Sequence, residues 1–490
     1  MDGNNQAPEQ QQTQNQPGLQ KAIRVLSLDG GGIRGVAVAR ILEGIEKDTG
    51  KRIHELFDVV VGTSTGGLLS VMLCIEIPPV SPEHHEGTSE EEKEYQKKRQ
   101  KQIAIREILG LKDDKILTAE QAKMLYIKKA DKIFSDKHDF WHKIRSWIPG
   151  FTQVKHFFNS KYEKALGLQE VVQDLYINHD FNHAKTCMGV MVTERGFGVP
   201  MLLNSTNAKI IAKHNFHNNL TLTQLVRATS AAPTYFNPIH IHNPAFKKKR
   251  AQIVTQKTDE ILEQIEQIKK RESSLGDTSQ AKKFATCTLW EEHTLDYQLC
   301  EREVLFFEDG GVSCNNPSLK AFRYAKELLK INGHDHHEYQ FQVYSIGTGS
   351  TEHMQVDPAR KIIKDLESKG KVACGNLDAF HRLVEDDPFN IERMSHKNHL
   401  KMRHKLKCHG SKKGIKHKYF RLQFKMTEKA LKELDRCDKE HLDYLVSAAE
   451  ECIEVNEEYK NILAQLKVEV DRPKDLVDCM PRMVCSEMSE

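Results

Sequence analysis

The chain has 490 residues, enough for one large domain with additions or for two to three domains. Its 72 Lys and Arg nearly balance 69 Asp and Glu, so the overall field is weak and any preference for an anionic partner must come from local clusters. Eleven Cys lie without a C-x-x-C pair, and the Gln- and Asn-rich start lacks a basic segment leading into an apolar one; both point to reduced thiols in a cytosolic setting.

Residues 1 to 20 are too poor in apolar side chains to fold and read as a disordered tail. Order is expected from the β-rich run Ile23 to Leu28, which ends in Asp29 and three glycines. The apolar spacing of Val38, Ile41, Leu42 and Ile45 predicts a helix over 36–47 that stops at Gly50. A strand follows at Leu56 to Val61, then a helix at Gly67 to Cys74. The nearly apolar stretch Phe57 to Ile77 is interrupted by Gly62-Thr63-Ser64-Thr65-Gly66-Gly67, so it reads as strand, turn and helix, not as a membrane span. Repetition of strand, glycine-rich turn and helix predicts an α/β fold around a mainly parallel sheet.

A Pro-, Glu- and Lys-rich stretch at about 78–102 reads as a surface insertion. Further strands are expected at Cys187–Thr193, Val304–Phe307 and Gln342–Ile346. A second insertion at about 247–285 opens with Lys247-Lys248-Lys249-Arg250 and continues as a polar helix with an Ile261, Leu262, Ile265, Ile268 stripe. Thr427 to Leu466 carries a sustained helical signal, and Pro473 and Pro481 mark a looser end. The expected organisation is a tail (1–20), a body (21–425) with the two insertions, and a helical C-terminal extension (426–490).

Three motifs carry chemistry. Asp29-Gly30-Gly31-Gly32-Ile33-Arg34-Gly35 joins a strand to a helix, where backbone N–H groups can hold a phosphate or an oxyanion. Gly30, Gly32 and Gly35 also satisfy G-x-G-x-x-G, so a dinucleotide site is a rival at this point. Gly62-Thr63-Ser64-Thr65-Gly66, between a buried strand and an apolar helix, is a G-x-S-x-G nucleophile elbow in its required context. Serine needs a base, and Glu308-Asp309-Gly310-Gly311 places a carboxylate at the C-terminal end of a strand. An Asp-Gly hairpin turn is the plainer reading, but Asn315-Asn316-Pro317 and an amphipathic helix follow instead of a returning strand.

The glycine loop, the elbow and the D-G-G motif, in this order, resemble the patatin-like phospholipase family. Arg227 to Phe236 (RATSAAPTYF) resembles the segment before that family's aspartate, and Ser345 to Gly349 its following strand and turn; the likeness spans about 22–425. The resemblance implies a three-layer α/β/α sandwich and a Ser-Asp dyad, with Ser64 attacking the ester and Asp309 taking its proton. It implies an oxyanion hole at Gly30, Gly31, Gly32 and Arg34, with Gly62, Gly66, Gly310 and Gly311 shaping the motifs. Neither cofactor nor metal is implied. Glu308 is read as a solvated neighbour. A Ser-His-Asp alternative would draw on His334, His336, His337 or His353, and with 24 His such availability says little.

The implied substrate is membrane phospholipid, cut as by a phospholipase A; a neutral-lipid or galactolipid esterase and a silent scaffold of the same fold are the alternatives. Nine Lys or Arg and no Asp or Glu fall between His396 and Lys418, so Lys397–Lys418 and Lys247–Arg250 are expected to favour an anionic membrane surface. Few aromatics interleave these charges, which argues against nucleic acid. The insertions suggest a lid or the docking surface of a protein activator. The expected setting is cytoplasmic and peripheral at membranes. The acidic end (Glu487, Glu490) loosely resembles bacterial effectors exported into host cells.

Overall fold

The computed structural model describes residues 19–80, 88–111, 115–134, 166–176, 181–196, 198–205, 221–233, 236–242, 304–351, 390–410, 414–473 and 476. Eight strands form one sheet: β1 (Ala22–Leu28), β2 (Val59–Thr63), β3 (Cys187–Glu194), β4 (Val199–Asn204), β5 (Ile239–His242), β6 (Val304–Asp309), β7 (Gln340–Ile346) and β8 (Lys418–Leu422). Hydrogen-bonded neighbours run β5-β6-β3-β2-β1-β7-β8, with β4 also on β3. The central pairs β3·β2, β2·β1, β1·β7 and β7·β8 are parallel, whereas β4, β5 and β6 pair antiparallel.

Every residue of β1 is buried, as a parallel strand covered on both faces requires. Its alternate side chains enter two cores. Leu26 and Leu28 pack with helices α1 (Gly35–Thr49), α3 (Thr65–Cys74), α5 (Ala119–Phe134), α6 (Leu166–Leu175) and α7 (Leu222–Thr229). Ile23 and Val25 face the other way, onto α9 (Ser318–Ile331) and Met402 and Leu406 of α10 (Asn390–Gly410). The result is the expected three-layer sandwich. Of the remaining helices, α2 is Ile53–Leu56, α4 Ser89–Ile108 and α8 Gly311–Cys314.

Three local outcomes differ from the sequence reading. The strand expected from Leu56 begins only at Val59, because 53–56 close a helical turn in which Glu55 accepts from the Arg52 N–H. Within the stretch read as an insertion, 89–108 is a helix capped by Thr88, whose hydroxyl accepts from Glu91. The long C-terminal signal divides into α11 (Glu428–Lys432), α12 (Lys439–Val455) and α13 (Glu457–Leu466). Asp438 and Asn456 cause the breaks, since their side chains accept from the His441 and Glu458 amides and start new helices. These helices join the main core: Leu442, Leu445 and Ala449 belong to the same cluster as α1. The 247–285 segment, Lys247–Arg250, His353 and the tail at 1–18 lie outside the described residues.

One buried ion pair ties this distant part of the chain to the first motif. Arg421 of β8 donates to both carboxylate oxygens of Asp29, at 2.9 and 2.5 Å, and to Ser345 Oγ at 2.8 Å. The sheet makes this possible by setting Ser345 opposite both Ser27 and Arg421. Removing one partner of such a pair strands a charge, so Arg421→Ala is expected to lower unfolding stability by about 3–5 kcal/mol in chemical denaturation, with Arg421→Lys less damaging.

Candidate active site

The position of Ser64, the candidate nucleophile, follows from β2. Its five residues are buried, and the chain then turns into α3 so tightly that Ser64 takes φ 53°, the one non-glycine residue with positive φ among those described. A side chain has no room on either flank. A Cβ on Gly62 would lie 2.0 Å from the Gly66 carbonyl oxygen, and one on Gly66 would lie 2.4 Å from that of Leu28. The G-x-S-x-G spacing thus records backbone contact across the turn.

The aspartate arrives from the opposite direction. Strand β2 pairs with Cys187–Met191 of β3, and β6 pairs with Val192–Glu194. Because β4 occupies one edge of β3 over Gly189–Glu194, β2 and β6 must share the other edge, end to end. Thr63 sits opposite Met191 and Asp309 opposite Val192, which brings the end of β6 to the residue after Thr63. There the Asp309 carboxylate accepts from Ser64 and, at 2.7 Å, from the Gly311 amide. It is 5% exposed. Burial pushes its carboxyl up to about 7, against the downward pull of those two hydrogen bonds. Gly310 packs directly on the Met191 carbonyl.

The segment ending α7 clamps the two groups together. The Thr229 hydroxyl accepts from the Ser64 amide (3.0 Å) and donates to the Met191 carbonyl (2.6 Å). The Thr229 and Ala231 carbonyls accept from the Gly310 and Asp309 amides at 3.4 and 3.0 Å.

The glycine loop is held by its carbonyls. Thr348 Oγ1 (2.7 Å) and Asn315 Nδ2 (3.3 Å) both donate to the Gly30 oxygen. Arg34 donates to the Gly31 oxygen from Nε (3.1 Å) and from its amide (3.2 Å). In a trans peptide the C=O and the following N–H point in opposite directions, so these bonds turn the Gly31 and Gly32 amides away from the loop's supports. Gly32 has φ 58°, and the Leu434 carbonyl, which accepts from Ile33, leaves no space for a Cβ there. The Gly30 amide instead reaches the Asn315 carbonyl at 3.4 Å, so within the predicted quartet Gly30 and Arg34 are supports.

Gly30, Gly31, Gly32, Ser64, Asp309 and Gly311 line one pocket, whose far wall is Leu68, Tyr126, Ile133, Leu168 and Phe236 and whose rim includes Leu434 and Asp435. Glu308 is not a solvated neighbour as expected. The pleat turns it to the other face of β6, where it is 3.1 Å from Arg195. His334, His336 and His337 precede β7, at the opposite end of the parallel strands from Ser64, and no His lines the pocket among the described residues. Asp335, His336 and His337 bring possible metal-ligand atoms within 4.8 Å of one another, but at that remote end.

Sequence reasoning named the stretches holding Thr229, Asn315 and Thr348 without their roles. Runs of small polar residues beside each motif were the available signal. Arg421 had none, being 392 positions from its partner.

Residues 26–250 match the family described as patatin-like phospholipase. Patatin-like protein 2 of Oryza sativa subsp. indica is 25% identical over 455 residues, 89% of this chain and 85% of that protein. Two local matches are closer: phospholipase A I of Arabidopsis thaliana, 51% identical over 57 residues, and human calcium-independent phospholipase A2-gamma, 47% over 53. They take in 12% and 11% of this chain but span 4% and 7% of those proteins. With its elbow, aspartate and glycine loop assembled at one end of the sheet, the chain carries a patatin-like phospholipase domain across residues 26–250.

Proposed function

We propose that the chain is a lipid acyl hydrolase of phospholipase A type. It cleaves acyl esters of glycerophospholipids to free fatty acid and lysophospholipid, without calcium, through a Ser64–Asp309 dyad. The observation that carries this reading is a serine on a left-handed elbow, hydrogen-bonded to a carboxylate that burial brings to about 7. A carboxylate near that value is basic enough to take a hydroxyl proton and acidic enough to return it.

The reaction follows from these positions. Ser64 Oγ bonds to the ester carbonyl carbon as its proton passes to Asp309. The negative charge on the carbonyl oxygen falls to the Gly31 and Gly32 amides. The carbon–oxygen bond to the glycerol then breaks, and Asp309 returns the proton to the departing alcohol. Water repeats the sequence on the acyl-serine, giving its proton to Asp309 and releasing the fatty acid. The apolar wall from Leu68 to Phe236 receives the acyl chain. A bilayer is met from the water side. Among the described residues no helix is long and apolar enough to cross it, and α10 exposes Lys401, Arg403 and Lys405 within the Lys397–Lys418 run to anionic headgroups.

Fatty-acid release from mixed phospholipid vesicles in the presence of a calcium chelator tests the reading. Wild type is expected to be active, and Ser64→Ala and Asp309→Asn each to lose about 10³-fold or more. Retention in Asp309→Asn alone would move the base elsewhere. Silence in wild type, even with cell extract supplied as a source of protein activator, would favour the scaffold, and activity on acylglycerol or galactolipid alone would favour the esterase.

The pH dependence has a definite sign. Asp309 works as the carboxylate, so kcat/KM is expected to climb through about pH 7 and to fall about tenfold per unit below it. Stability runs the other way. A carboxyl whose pKa is raised on folding costs nothing below its unfolded value and progressively destabilises the fold as pH rises from there to about 7. Asp309→Asn is therefore expected to melt above wild type at pH 8, with the difference gone near pH 4. Equal differences at both pH values would mean that the carboxyl is not raised.

A further inference from the structure

Arg227 is a buried cation that the dyad chemistry leaves unused. It lies in the last turn of α7, and Ser230, which caps that helix, lines the pocket. The residue is only 9% exposed. Its guanidinium carbon stands 5.9 Å from the centre of the Phe236 ring, and Phe236 forms part of the pocket wall. The other buried arginines are supplied with oxygen: Arg421 with Asp29, Arg34 with the Gly31 carbonyl, and Arg24 with the carbonyls of Gln465 and Val468. Arg227 meets no carboxylate among the described residues, and its pKa falls to about 10 through burial alone. An aromatic face only partly replaces lost hydration, so a guanidinium in this position calls for an anion.

We propose that the anion comes with the substrate: Arg227 recognises the phosphate of the lipid and makes the pocket prefer phosphodiester lipids over neutral acylglycerols. The inference rests on the acyl-hydrolase reading for its substrate, but not for its chemistry. A planar guanidinium offers paired donors that match two phosphate oxygens, and contact with Phe236 restrains its plane. Arg227 touches no reacting atom and acts on selectivity.

Two measurements test this. In the first, the melting temperature is followed with millimolar sn-glycerol 3-phosphate, against glycerol and against sodium chloride at equal ionic strength. A rise specific to the phosphate is expected in wild type and in Ser64→Ala, and its loss in Arg227→Gln. In the second, kcat/KM is compared between a phosphatidylglycerol and a diacylglycerol of the same chains. The phospholipid-to-neutral ratio is expected to drop roughly 10- to 100-fold in Arg227→Gln, the scale of one charged hydrogen-bonded contact, and less in Arg227→Lys, which keeps the charge and the fold. No phosphate-specific rise in wild type, a rise that survives in Arg227→Gln, or equal loss on both lipids would overturn the proposal. A wild type that binds glycerol 3-phosphate but hydrolyses neither lipid would sink the hydrolase reading and leave the phosphate site standing.

Discussion

The candidate site depends on one feature of the sheet: β3 runs past the end of β2. Parallel pairing uses the first five residues of β3, and the next three are left to bond with a strand coming from the other direction. Two chain ends separated by some 245 residues of sequence are thereby placed head to head on a single edge. No flexible linker sets the distance between serine and aspartate. Backbone hydrogen bonds set it, and the Thr229 clamp fixes it from the side. A site held by strands in register is better suited to directed proton transfer than one assembled from free loops.

The glycine loop solves a different problem. In the proposed reaction the Gly31 and Gly32 amides must be aimed without any group among the described residues bonding to them directly. The fold aims them by fixing the carbonyl on the preceding residue, using Thr348, Asn315 and Arg34, and lets peptide planarity do the rest. Behind this lies Asp29, locked by Arg421, so the loop's base is pinned to the last strand of the sheet. The C-terminal helices belong to the same arrangement. Leu434 supports the loop through Ile33, and α12 packs on the helix that the loop begins.

Electrostatics divide the buried charges by use. Asp29 and Arg421 cancel each other and hold structure. Asp309 is given hydrogen bonds but no cation among the described residues, so burial governs its carboxyl and raises its basicity. Arg227 is the converse case, a cation given an aromatic neighbour and no carboxylate among the described residues. Asp309 lines the pocket and Arg227 stands behind its Phe236 wall, in a region where stability is commonly given up for chemistry.

The sequence by itself determined the local chemistry. Ser64 had to lie on an elbow because Gly62 and Gly66 flank it between a β-branched strand and an apolar helix, and the β-rich run Ile23 to Leu28 already implied a strand. Asp309 was legible as a carboxylate at a strand end. Patterns of this kind reach only a few residues, which is why the long C-terminal signal was read as one helix when local Asx caps divide it into three. Tertiary structure decided everything that depends on register. The pleat turned Glu308 toward Arg195 and Asp309 toward Ser64, the sheet carried the histidines before β7 to its far end, and Arg421 met Asp29 across 392 positions. Pairing across a sheet is fixed by the packing of the whole core, and a window of sequence does not contain that information.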